Sequence, residues 1–236
     1  IYTAFYTLSL HDALPFSDFG LSALATGATA NVDLVGVAFG ATFAIITTAL
    51  ISGAIADRAK FGAWMVFAAV FATLVYFPVA AWVWGGGWAY SLGGLMGLPD
   101  VIDYAGGTAV HINAGAAALA LTFVLGSRVV FKKGAHKPHN VPFVILGASI
   151  LWFGWFGFNV GAEWTNGMEG AGLIALNTLG ATAAAIVAWI VVERFKNGKP
   201  TAVGAASGAV AGLVAITPAC ANLTPGWRSE EHTSEL

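Results

Sequence analysis

Two residues that can do chemistry stand eight apart in "DYAGGTAVHINAGAAAL", residues 103 to 119: Asp103 and His111. Between and beyond them the chain is Ala, Gly, Val, Ile and Leu. Asp103 sits at the start of a predicted helix. Its carboxylate can take hydrogen bonds from the first free backbone N–H groups, and its charge suits the positive end of the helix dipole. A second reading, compatible with the first, is long-range stabilisation of a cation near a pore mouth. His111 follows ~12 Å further along an α-helical axis. Gly107 and Gly115 lie four residues to either side, and Ala114 and Ala118 share that side. A strip of small residues lets another helix approach closely or leaves a narrow lumen. An imidazole facing lipid is costly, so the ring must face protein or a cavity. Packing remains one reading of it. The other is handling of protons or of a small polar solute, since a neutral imidazole offers one donor and one acceptor nitrogen. No other acidic, basic or histidine side chain falls in the middle of an apolar run.

The aromatic residues extend the argument. Phe39 and Phe43 lie four apart, Trp84 ends an apolar run beside "GGG", and Trp155 and Phe158 lie in "ILWFGWFGFNVG". Interfacial belts and packing account for many such rings. The alternative is a cage of π-faces at a pore mouth, each face attracting a cation by ~0.5–2 kcal/mol. His136 and His139, in "FKKGAHKPHN", read as solvated.

The elements that carry these residues follow from composition. Hydrophobic residues make up 58% of the 236-residue chain and charged ones 9%, against about a quarter charged in soluble domains. The net charge of −2 gives no pull toward nucleic acid. The single cysteine, Cys220, excludes an internal disulfide framework, and no Cys/His cluster has metal-ligand spacing. No nucleophile, carboxylate pair or "HExxH" accompanies His111, so an enzyme is not expected. A spanning helix needs ~20 apolar residues. Spans are predicted at about 34–56, 61–84, 104–127, 141–162, 170–192 and 200–219, giving an all-α polytopic membrane protein. The Gly-rich stretch 85–99 reads as a loop, and Pro78 is expected to kink the second span near its end.

The basic residues set an orientation. Arg58 and Lys60, then Arg128, Lys132, Lys133 and Lys137, then Arg194, Lys196 and Lys199 fill alternate loops. Positive loops are cytoplasmic, which puts 57–60, 128–140 and 193–200 inside. Asp100, Asp103, Glu163 and Glu169 then face out. The two ends stand apart. "YTLSLHDALP" and "RSEEHTSEL" resemble translated sequencing adapters, and AGA TCG GAA GAG CAC ACG TCT GAA CTC spells the second. Residues 1–17 and 228–236, with His11 and His232, are therefore expected to be non-native, and 18–227 to be a partial domain.

Together "DYAGGTAVHINA", "GWFGFN", "VWGGG", "KPHN" and "GLVAITPACA" resemble the ammonium transporter superfamily (Amt/Mep/Rh), on the bacterial Amt side, in order and spacing from about Asp33 to Pro225. The resemblance implies an eleven-helix fold of inverted repeats in the cell membrane, assembled as a homotrimer with a pore in each subunit. The six spans resemble helices three to eight. It implies recruitment of ammonium, with methylammonium as analogue, and passage as ammonia. His111 resembles the first of two pore histidines. Asp103 resembles the aspartate supporting the outer cation site, with Trp84 and Phe43 in the recruitment region. Phe43 and Phe158 resemble stacked gate rings, with Trp155 a pore-lining neighbour. No cofactor or metal is implied, and a cytosolic PII-type regulator is. Ala162 stands where many members have serine. The partner histidine belongs to a later helix, so an incomplete fragment is expected. An ammonium sensor with a cytoplasmic signalling domain is the alternative function.

Overall fold

The computed structural model describes residues 30–128, 131 and 138–224, with side chains from Leu34 onward. The expected non-native ends, Lys132, Lys133, His136 and Lys137 lie outside them. Among the described residues all regular structure is helical, and six segments are long and apolar enough to cross a membrane: Leu34–Ile55, Phe61–Trp84, Gly107–Leu125, Val141–Asn166, Ala171–Asn197 and Ala202–Ala219. The predicted spans are therefore present, with shifted ends. Large apolar side chains such as Phe123 and Phe153, 78% and 83% exposed, suit a lipid-facing surface. The chain forms two compact units, one up to Ala135 and one from His136.

In the first unit α1 spans Ala30–Ile55. Its threonine hydroxyls, on Thr42, Thr47 and Thr48, turn back on their own helix, as such groups in an apolar helix do. The fully buried Thr47 donates to the Phe43 carbonyl at 2.6 Å. The second span is not one regular helix. A π-turn, Ala72–Tyr76, separates α2 (Phe61–Phe71) from α3 (Phe77–Trp84), with the Phe77 N–H reaching back to the Ala72 carbonyl. Pro78 sits in the first turn of α3, so the backbone irregularity precedes the proline. The stretch read as loop, 85–99, holds one short helix, α4 (Leu92–Leu95). The third span opens with a second π-turn, Gly107–Ile112, and continues as α5 (Asn113–Leu125).

Two arginines tie the far ends of α1 and α5 together. Arg58 donates to the carbonyls of Ala54 and Gly126. Arg128 donates to the Gly53 carbonyl at 2.7 Å and lies 3.8 Å from the Asp57 carboxylate. Carbonyls left over at helix C-termini thus receive cationic donors.

In the second unit α6 (Val141–Asn159) begins at Asn140, whose side chain accepts the Phe143 N–H at 3.1 Å. A 3₁₀ turn, Gly161–Asn166, follows, where Glu163 accepts the Gly170 N–H at 2.9 Å. Helix α7 runs Ala171–Asn197. It continues through Glu193, Arg194 and Lys196, which had read as part of a loop over 193–200, so the connection to α8 (Ala202–Ile216) is short. Glu193 fastens that connection by accepting both the backbone N–H and the hydroxyl of Thr201, each at 2.8 Å. Along α8, Gly204, Gly208 and Gly212 face α7, so the two backbones approach closely. A Cβ at Gly208 would stand 2.9 Å from the Ala185 carbonyl oxygen and 3.0 Å from the Ile186 Cα. The chain ends its described part in a 3₁₀ turn, Thr217–Ala219, and a short tail.

Candidate functional site

The first unit gathers Phe43, Trp84 and Asp103 around the start of the helix that carries His111. Phe43, only 1% exposed on α1, meets Trp84 edge to face at 5.4 Å between ring centroids. Phe39 contacts the same Phe43 ring, again edge to face, at 4.9 Å. The Trp84 indole N–H donates to the Asp103 backbone carbonyl at 2.7 Å.

The Asp103 side chain then closes the helix start. Its Oδ1 accepts the N–H groups of Gly106 at 2.9 Å and Gly107 at 2.5 Å. Its Oδ2 accepts those of Thr108 at 2.7 Å and Ala109 at 3.0 Å. The capping expectation is met, and by four donors. A carboxylate has about four lone-pair positions, and these bonds take all of them. Direct ligation of a cation by Asp103 has no lone pair left to use. Burial pushes the Asp103 carboxyl above its usual range, while the four N–H bonds pull it back down.

The π-turn revises the placement of His111. Its N–H bonds to the Gly106 carbonyl, five residues back, at 3.1 Å. The helix opens at Gly107, so His111 lies roughly one turn inside it. The depth expected for a regular helix beginning near 104 was about two turns. A wider turn also takes Gly107 off the face that a regular four-residue step would give it. His111 is half-buried, Ala114 buried and Gly115 exposed, so the small residues around the ring do not form one uniform stripe. Gly106 makes the geometry possible. Its φ of 102° is a left-handed value that favours glycine, and a Cβ there would meet Val110 Cγ2 at 2.7 Å and Phe43 Cδ1 at 3.3 Å.

Trp155 and Phe158 belong to the second unit, on α6. Trp155 is 3% exposed and Phe158 half-buried. Ala162 is buried in the turn beyond them. Polar residues that the sequence reading passed over lie beside Trp155. Its indole N–H donates to Thr217 Oγ1 at 2.7 Å, and Asn159 Nδ2 donates to Thr178 Oγ1 at 3.1 Å. The available signal was their polarity inside apolar spans. Among the described residues no group of three or more His, Cys, Asp or Glu side chains is placed to hold a metal.

Comparison with known proteins places this arrangement. The sequence matches the profile of the Ammonium Transporter Family over residues 3–228. The chain belongs to the ammonium transporter family. An ammonium transporter of Mycobacterium tuberculosis (strain ATCC 25618 / H37Rv) is 55% identical over 206 residues, covering 83% of this chain and 43% of the relative. One from Bacillus subtilis (strain 168) is 53% identical over 189 residues, covering 79% and 44%. Crystal structures of Candida albicans Mep2 and Saccharomyces cerevisiae Mep2 superpose with TM-scores of 0.68 at 41% and 40% identity, each over 78% of this chain and 40% of theirs. The chain thus spans less than half the length of these ammonium transporter family members. It is a multi-pass membrane protein of that family.

Proposed function

We propose that this chain is part of an ammonium transporter of the cell membrane, in which Trp84 and Phe43 attract the cation and His111 serves it after it has lost its charge. The observation that carries the reading is the coupling of the aromatic pair to the helix of His111 through one residue, Asp103. Aromatic faces favour a cation that is shedding water. A bare charge in the hydrocarbon core is very costly, whereas neutral ammonia is not. The imidazole offers hydrogen bonds where water does not. Asp103 acts by holding the turn and by its charge at a distance, because its lone pairs are occupied.

The remaining assignments rest on family membership and on the charge pattern. The six spans correspond to helices three to eight of eleven, the basic loops face the cytoplasm, and the protein assembles as a homotrimer. Phe158 and Phe43 act as gate rings, Trp155 borders the path, and a PII-type protein binds the inner face. The test is uptake of radiolabelled methylammonium by the full-length gene product in cells without their own transporter. His111→Ala is expected to lower uptake about tenfold, the weight of one buried polar partner, with assembly unchanged. Uptake at the unsubstituted level would remove His111 from the path.

A further inference from the structure

In the second unit four polar side chains meet where water does not reach. Asn159, Thr178 and Thr217 are each 0% exposed and Trp155 is 3%. The two threonines work alike. Thr217 gives its hydroxyl proton to the Leu213 carbonyl at 2.7 Å and accepts the Trp155 indole N–H, also at 2.7 Å. Thr178 gives its proton to the Ile174 carbonyl at 2.7 Å and accepts from Asn159 Nδ2 at 3.1 Å. A hydroxyl has one proton, and here the carbonyl of its own helix takes it. The short bonds toward α6 are therefore ones that the threonines accept. Asn159 Oδ1 lies 3.5 Å from Thr217 Oγ1, which brings the two pairs side by side.

This arrangement has a consequence for transport beyond stability. An indole N–H turned toward a path of small neutral amines would hold each one by a hydrogen bond and slow its departure. Committed to Thr217, the donor is withdrawn and the ring offers only carbon. We propose that Thr217 is a positioning residue: by accepting the Trp155 N–H it fixes the indole plane beside the route of a small neutral amine and keeps that donor out of it. Asn159 and Thr178 hold α6 in the register this needs. The inference rests on the reading of Trp155 as bordering the path.

A double-mutant cycle in the full-length gene product tests it, with uptake normalised to protein in the membrane. Trp155→Phe removes the N–H and keeps an aromatic ring. Thr217→Val removes the acceptor and keeps the shape, and Thr217→Ala serves if the valine variant does not reach the membrane. Thr217→Ser keeps the acceptor. Loss of Thr217 is expected to lower uptake about fivefold, the weight of one neutral hydrogen bond, with serine within about twofold of threonine. In the Trp155→Phe background the same loss is expected to add nothing, because coupled residues are not additive. Additive effects, or a serine variant as poor as alanine, would overturn the positioning role while leaving Trp155 at the path. Trp155→Ala removes the ring itself, and unchanged uptake in that variant would overturn the reading of Trp155 at the path, and this inference with it.

Discussion

The Trp84 indole N–H donates to the backbone carbonyl of Asp103 at 2.7 Å, while the side chain of the same aspartate holds the N–H groups of residues 106 to 109. Asp103 is thus fixed from both ends. The ring of Trp84 sits against Phe43 and its edge sits against the segment that opens the helix of His111. A displacement of the aromatic pair is therefore felt at the helix start, and the reverse.

Trp84→Phe separates the two contacts. A phenyl ring can still meet Phe43 but has no N–H for the Asp103 carbonyl. Stability is expected to fall by about 1 kcal/mol, the net weight of one hydrogen bond. Apparent affinity for methylammonium should fall as well, since the smaller ring offers a weaker π-face. Thermal unfolding in detergent and uptake at varied substrate concentration measure the two effects. A loss of stability with unchanged affinity would assign Trp84 to architecture alone.

Asp103→Asn retains one acceptor oxygen of the two, and Asp103→Ala retains none. The expected order of stability is aspartate, asparagine, alanine, with alanine costing about 2 kcal/mol or more as buried N–H groups lose their partner. The pH dependence has a defined sign. Burial raises the carboxyl above its ordinary value of 3.8, so the folded protein holds the proton more tightly than the unfolded chain. That contribution is present below the ordinary value and is lost as pH rises through the folded one. Unfolding temperature relative to Asp103→Asn should therefore decline as pH is raised from about 4. The opposite slope would mean that the four N–H donors outweigh burial.

The spans were legible because long apolar runs have few alternatives, and the cap was legible because Asp103 stands just before one of them. The π-turns were not. A bond from the His111 N–H to the Gly106 carbonyl, five residues back, leaves no mark in the apolar pattern, yet it decides how deep the imidazole lies. The end of α7 was misread for a related reason. Glu193, Arg194 and Lys196 look like loop residues, but a helix leaving the apolar zone carries charge on its last turns, and this one runs to Asn197. The meeting of Asn159, Thr178 and Thr217 depends on three elements far apart in sequence, and no local spacing encodes it.

Gly106→Ala tests the turn itself. A φ of 102° strains any residue with a Cβ, at a cost of order 1–3 kcal/mol. The added methyl also meets Val110 Cγ2 at 2.7 Å. Val110→Ala in the same chain should return the steric part of the loss and leave the backbone part. Unfolding of the single and double variants in detergent separates them. A double variant whose loss equals the sum of the Gly106→Ala and Val110→Ala losses would show that Val110 is not the source of the strain.

Gly208, whose own φ is ordinary, carries the corresponding argument for the second unit. A Cβ there would approach the Ala185 carbonyl oxygen to 2.9 Å and the Ile186 Cα to 3.0 Å. Both are backbone atoms of α7, so no side chain can rotate away and the helices must part. Separation would also loosen the Glu193 clasp on Thr201, which bridges the same pair of helices. Gly208→Ala is expected to cost about 1–3 kcal/mol, the usual penalty for overpacking, although alanine is the better helix former. Ser207→Ala on the neighbouring face, half-buried and bonded only to its own helix, should cost well under 1 kcal/mol. A gain in stability at 208, the sign that helix propensity alone would give, would show that the approach of α8 to α7 does not govern this position.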